Sequence, residues 1–222
     1  MTALIPPVSQ PLGLIFDCDG TLADTMPLHW RAWSAISGRH GFEFPESRFY
    51  ALGGVPTRDI LKMIASEQGL PGLDPLAVAR EKEDIYLQLL PEVGPVREVV
   101  EIARAHHGRV PMAVASGGSR HAIRLVLEHL GIHAWFQTVV THEDVTRQKP
   151  EPDIFLEAAR RIGVDPMFCR AFEDTDLGMQ AIRAAGMEAV DVRPLRENHA
   201  VGFQAKPPNR PEKAWESRNP TG

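Results

Sequence analysis

The sequence predicts an α/β protein, a doubly wound parallel sheet (Rossmann-like) with an inserted α-helical cap. Three observations carry that prediction. Short apolar runs at Leu12–Phe16, Val110–Ala115, Gln137–Val140, Arg170–Phe172 and Glu188–Val192 read as buried strands. Helical periodicity fills each gap between the last four runs, so they follow one another through crossovers and pair in parallel. The gap between the first two runs, Thr25 to Gly108, holds several helical segments and no strand, more than one crossover needs.

Taken in order, the first run is the compact segment Leu12-Gly-Leu-Ile-Phe16, followed at once by Asp17-Cys-Asp19-Gly. Four helical stretches follow, at about Pro27–His40, Thr57–Gln68, Pro75–Leu90 and Pro95–His107. Asp74-Pro75 is a helix start, with an acidic N-cap and a proline in the first turn. One of the four serves as the crossover to the second strand, so the first three are expected to form the cap. Beyond it, Arg120–Leu130 carries Ile123, Leu127 and Leu130 on one face, and Asp153–Ile162 and Leu177–Ala185 are similar. Gly131, Gly163 and Gly186 stand where these helices should end. The expected division is a core of residues 1–24 and 92–195, a cap of residues 25–91, and a tail of residues 196–222. The tail has Pro207, Pro208, Pro211 and Pro220 with few aliphatics, and reads as extended or disordered. Phe203 and Trp215 are its candidate docking side chains.

Composition narrows the classes. The chain has 222 residues, 43% of them hydrophobic and 24% charged, enough for one domain with an insertion. A net charge of −5 gives no basic footprint for nucleic acid. No apolar stretch reaches the roughly 18–20 residues of a membrane span, and Met1 to Pro11 lacks the pattern of a signal peptide. The cysteines are Cys18 and Cys169, without metal-ligand spacing, which fits a reducing, cytoplasmic setting. Cys18 is expected to be a buried filler, turned away from its acidic neighbours.

The chemistry gathers at the strand exits, where sites form in parallel α/β sheets. Asp17 and Asp19 share one face at the end of the first strand, and two buried like charges need a cation or a shared proton. The second strand runs into Ser116-Gly117-Gly118, a hydroxyl and open backbone N–H groups suited to phosphate oxygens. Lys149-Pro150 precedes the helix at Asp153, and the fourth strand ends in Glu173-Asp174 and Thr175. Singly, each has a plain explanation: a turn, a solvated lysine, an acid pair at a helix start. In this order on successive strand exits, they converge.

These four segments resemble the four motifs of the haloacid dehalogenase-like hydrolase superfamily, over roughly Leu12 to Leu195. Asp24-Thr25 with His29 and Trp33 is similar to the β-phosphoglucomutase-like branch. His107-Gly-Arg-Val-Pro-Met-Ala-Val114 and Ala184-Ala-Gly-Met-Glu-Ala-Val-Asp-Val-Arg193 resemble bacterial sugar phosphatases within it. The resemblance implies phosphomonoester hydrolysis with Mg²⁺, held by the Asp17 carboxylate, the Asp19 backbone carbonyl and Asp174, with Glu173 nearby. It implies Asp17 as nucleophile, Asp19 as acid and base, Lys149 as the neutralising cation, and Ser116, Gly117 and Gly118 as the phosphate cradle. His29, Thr57 and Lys82 are the candidate cap contacts to substrate, with Trp33 beside them. The implied partner is a small phosphorylated sugar, fructose 1-phosphate or 6-phosphogluconate; the sequence does not fix the oligomeric state, and a monomer is the expectation.

Two other readings stand beside this one. A sugar-phosphate mutase needs a second phosphate site, yet this chain has Thr57 and Ser119 where that branch carries an arginine and a lysine. Arg58 and Arg120, each one residue further on, are the possible substitutes. A catalytically inactive binding protein predicts the loss of at least one charged group, and none is missing.

Overall fold

The computed structural model describes residues 10–200. Strand β1 (Gly13–Phe16) is followed by five helices, α1 (Met26–His40), α2 (Glu46–Ala51), α3 (Thr57–Glu67), α4 (Pro75–Leu89) and α5 (Arg97–His106). Then come β2 (Met112–Ser116), α6 (Arg120–His129), β3 (Thr138–Thr141), α7 (Asp153–Ile162), β4 (Cys169–Glu173), α8 (Asp176–Ala184), β5 (Glu188–Asp191) and α9 (Arg193–Ala200).

The strands pair in parallel in the order β3-β2-β1-β4-β5. Chain order reverses at β1, so the exits of β1, β2 and β4 open on one crevice. Side chains alternate across the sheet. Leu14, Phe16, Met112 and Val114 enter one core with Val99, Ala103 and the inner face of α6, while Ile15, Ala113, Ala115 and Ala171 enter another with α7 and α8. Phe16 stacks on Phe172 at 4.6 Å, which locks β1 against β4 just before both strands deliver their acids. Cys18 is buried in the first of these cores, as a small apolar filler should be.

Helices α1 to α4 build a core of their own around Trp33, Ile36, Phe44, Phe49, Leu61 and Ile64. Helix α1 is buried on two sides, giving Trp33 and Ile36 to this core and Leu28 and Ala32 to the sheet's. Asp74 caps α4 as read from the sequence, accepting from the N–H groups of Leu76 and Ala77 at 2.9 and 3.2 Å. Gly131, Gly163 and Gly186 end their helices with positive φ.

Two features depart from the sequence reading. Helix α2 is an extra element in the insertion; six residues behind Pro45 are too few to show a helical period. The sequence reading ends the folded part at Leu195, whereas α9 continues to Ala200. The polar run Arg-Glu-Asn-His gave no apolar stripe by which to see it. The remainder of the expected tail, with Phe203 and Trp215, lies outside the described residues.

Candidate active site

Each predicted site residue is fixed by the element that carries it. Asp17, 4% exposed, directly follows β1, and β4 ends in Glu173, 1% exposed. Lys149 reaches between them from the loop before α7. Its ammonium donates to Asp17 Oδ1 at 2.8 Å and to Glu173 Oε2 at 2.7 Å. Burial opposes its charge, but the two carboxylates outweigh burial and hold the ammonium protonated well above its usual range. Burial pushes the Asp17 carboxyl well up; Lys149 pulls against this, while Glu173, Asp174 and Asp19 add to it.

Glu173 is heavily hydrogen-bonded. Its Oε1 accepts from the N–H of Asp174 at 3.1 Å, the N–H of Thr175 at 2.9 Å and the Thr175 hydroxyl at 2.8 Å, and its Oε2 takes Lys149. Thr175 also caps α8 by accepting from Gly178 N–H at 3.1 Å. Asp17, Glu173 and Asp174 each place one oxygen within 4.8 Å of the others. Three hard oxygen donors so close fit a divalent cation such as Mg²⁺. Since Glu173 is spent on hydrogen bonds, Asp17 and Asp174 are the better donors. Burial, then the Glu173 charge, raises the Asp174 carboxyl to about 7.

Asp19 is held apart from this cluster. Its Oδ1 accepts from the Thr25 hydroxyl at 2.7 Å and from His29 Nε2 at 3.3 Å. Lys82 Nζ lies 2.7 Å from His29 Nδ1. An ammonium only donates, so Nδ1 accepts and the ring proton sits on Nε2, facing Asp19. Burial and then the Lys82 charge keep His29 below its usual range, hence neutral. Burial lowers Lys82 to about 8. For Asp19, burial opposes ionisation, yet the His29 and Thr25 hydrogen bonds and the Lys82 charge prevail and hold it below the ordinary carboxylate range. The two aspartates, one strand turn apart, thus have opposite acidities.

Ser116, Gly117 and Gly118 lie at the exit of β2, with Ser116 Oγ accepting from Gly118 N–H at 3.1 Å. Both acids, this loop, Lys149, His29, Thr57 and Lys82 line one chamber of about 720 Å³ between the sheet and the insertion. Trp33 borders it too, but its bulk is core, packed on Phe44 at 4.6 Å.

Several contributors escaped the sequence reading. Tyr86 stacks on His29 at 3.9 Å and fixes its ring. The Gly53-Gly54 loop roofs the site; a Cβ on Gly117 would come within 3.2 Å of the Gly54 carbonyl, and one on Gly54 within 3.8 Å of Lys149 Cδ. Arg196 on α9 donates to the Gly20 carbonyl at 3.1 Å and to Asp24, tying the C-terminal helix to the loop after Asp19. Gly20 takes φ +81°, and a Cβ there would overlap the Asp174 carboxylate. A Cβ on Gly178 would overlap the Glu173 carboxyl. Gly178→Ala is therefore expected to displace Glu173, loosen Lys149 and lower kcat about 100-fold, while circular dichroism keeps its helical signal. Turnover within twofold of wild type would refute this placement of Glu173.

Comparison with known proteins agrees with this architecture. The family model of haloacid dehalogenase-like hydrolases matches residues 12–186. The chain is 46% identical over 184 residues to fructose-1-phosphate phosphatase YqaB of Escherichia coli (strain K12), covering 82% of this chain and 97% of that protein. It is 30% identical over 187 residues to β-phosphoglucomutase of Bacillus subtilis (strain 168), covering 81% and 82%. The structure of a hydrolase from Pseudomonas syringae superposes with a TM-score of 0.73 at 24% identity, covering 81% of this chain and 84% of that one, a likeness of fold. The chain belongs to the haloacid dehalogenase-like hydrolase family.

Proposed function

We propose that this protein is a Mg²⁺-dependent sugar-phosphate phosphatase that works through an aspartyl-phosphate on Asp17. The observation that carries the reading is the pair of aspartates with opposite surroundings in one chamber: Asp17 clamped by Lys149, Asp19 on the Thr25–His29–Lys82 chain. Asp17, Asp174 and the Asp19 carbonyl would hold the Mg²⁺. When bound, it offsets the repulsion between the phosphate dianion and the nucleophile.

In the first step an Asp17 oxygen bonds to phosphorus as the bond to the sugar oxygen breaks. Asp19 gives that oxygen its proton. The approach of a phosphate dianion raises Asp19's proton affinity, so the group that rests ionised takes a proton from solvent as substrate binds and then acts as the acid. In the second step Asp19 takes a proton from water, the water oxygen bonds to phosphorus, and the bond to Asp17 breaks. Lys149 stabilises the charge passing through Asp17, and Ser116 with the N–H groups of Gly117 and Gly118 holds the remaining phosphate oxygens. The helical insertion acts as the cap that selects the sugar, through His29, Lys82 and Thr57.

Transfer to water rather than to a second sugar position is supported by the cations near the chamber. Arg120 turns to Asp144 at 2.8 Å and Arg58 lies 3.5 Å from Asp59, so both candidate phosphate holders are engaged by acids. The test is phosphate release from a sugar-phosphate panel, led by fructose 1-phosphate and 6-phosphogluconate, with Mg²⁺ and with EDTA. Release should require Mg²⁺. The Mg²⁺ requirement should also climb as pH falls below about 7, because the proton then held by Asp174 must leave before the ion can bind. Full activity in EDTA rejects the metal assignment. Glucose 1-phosphate with a trace of glucose bisphosphate is the control: glucose 6-phosphate outpacing free phosphate would make the enzyme a mutase.

A further inference from the structure

Glu83 lies one residue beyond Lys82 on α4 and lines the same chamber. Lys82 is turned to His29, and Glu83 faces the loop after β2. There the Ser119 hydroxyl donates to Glu83 Oε1. The orientation is enforced, because Ser119 Oγ already accepts from Ala122 N–H at 3.2 Å as the N-cap of α6, which leaves its proton for the carboxylate. Glu83 is thus a carboxylate fixed across the gap between the insertion and the sheet.

Among the described residues no cation is hydrogen-bonded to that charge, although the neighbouring Lys82 ammonium feels it. Lys82, the adjacent cation, is committed to His29, and Arg120, next to Ser119, is drawn to Asp144. Arg58 and Arg80 line the chamber at its exposed rim, Arg58 beside Asp59. The chamber runs from Asp17 and Ser116 to α4, so a sugar monophosphate held at the first two would present its far end to Glu83. A neutral hydroxyl meeting Glu83 can donate to its free oxygen; a second phosphate or a carboxylate meets a fixed like charge.

We propose that Glu83 is a specificity-determining residue, which turns the chamber against substrates carrying a second anion and favours sugar monophosphates whose other groups are hydroxyls. The inference rests on the sugar-phosphatase reading and sharpens it: fructose 1-phosphate should be preferred to 6-phosphogluconate, whose far end is a carboxylate, and to fructose 1,6-bisphosphate.

The experiment measures kcat/KM for these three compounds and for p-nitrophenyl phosphate, with wild type and Glu83→Gln, all with Mg²⁺. Glutamine keeps the shape and an acceptor for Ser119 while removing the charge. Wild type should prefer fructose 1-phosphate over each dianionic-tailed or acid substrate by about tenfold or more, and Glu83→Gln should shrink that gap about tenfold, chiefly through KM. The gap is a ratio on one enzyme, so a general change in the chemistry cancels. An unchanged gap, within about twofold, overturns the proposal. If the variant folds poorly, wild type alone decides: raising ionic strength from ~0.05 to ~0.5 M should narrow the gap by screening, and a salt-independent gap overturns it. Hydrolysis of the aryl phosphate without release from any sugar phosphate is a different result, which removes the sugar-phosphatase reading and this inference with it.

Discussion

Asp17→Asn should lower kcat by about 1,000-fold or more while leaving substrate binding intact. Asparagine matches the aspartate in shape, and its amide oxygen can still accept from Lys149. What disappears is the anion that bonds to phosphorus. Repulsion between the site and the phosphate dianion disappears with it, so KM should hold or fall. The fold should survive as well. Burial drives the Asp17 carboxyl well above its ordinary range, so its ionisation opposes folding near neutral pH, and removing it relieves that opposition. Lys149 keeps Glu173 at 2.7 Å as partner. Steady-state kinetics with a thermal melt check both halves. A variant with turnover within tenfold of wild type would falsify the covalent route through Asp17.

The parts of this molecule legible in its sequence are those written locally. Five apolar runs gave the strands, most plainly β1 and β2, which are buried along their whole length, and Leu12–Phe16 leads straight into Asp17 and Asp19. Lys149 and Glu173-Asp174 were legible as strand-exit residues, and their convergence followed from parallel topology. Their division of labour was not. Whether Glu173 holds a cation or holds Lys149 depends on four hydrogen bonds, one of which crosses from another loop. Pairings across long separations were equally silent: Glu83 to Ser119, Arg196 to Gly20, and Gly54 over Lys149 join segments with no shared pattern. Helix α9 was missed because a polar helix shows no apolar period, although its Arg196 reaches the loop beside Asp19.

Lys149→Met should be as damaging to turnover as Asp17→Asn, and unlike it should unsettle the fold in a pH-dependent way. Methionine preserves most of the stem, including its packing toward Phe155, where the ammonium now lies 5.2 Å from the ring centroid. The ammonium itself is the only cation bonded to Asp17 and Glu173 among the described residues. Without it two buried carboxylates face each other unpaired, a loss of about 3–5 kcal/mol when both stay ionised. Asp17 can avoid that loss by binding a proton, which sets the sign. Its folded-state pKa, already raised by burial, rises further above the unfolded value of about 4, so the variant's stability is fully present below that pH and drains away as pH climbs through the raised folded value. The melting temperature, compared with wild type, should therefore fall steadily between about pH 5 and pH 8. Mg²⁺ should restore part of it, because the ion supplies positive charge to the same oxygens. kcat should drop about 1,000-fold at every pH, since protonating Asp17 to rescue the fold also disarms the nucleophile. A variant that melts in parallel with wild type across that range, or turns over within tenfold of it, would show that Lys149 is not the charge on which this site is built.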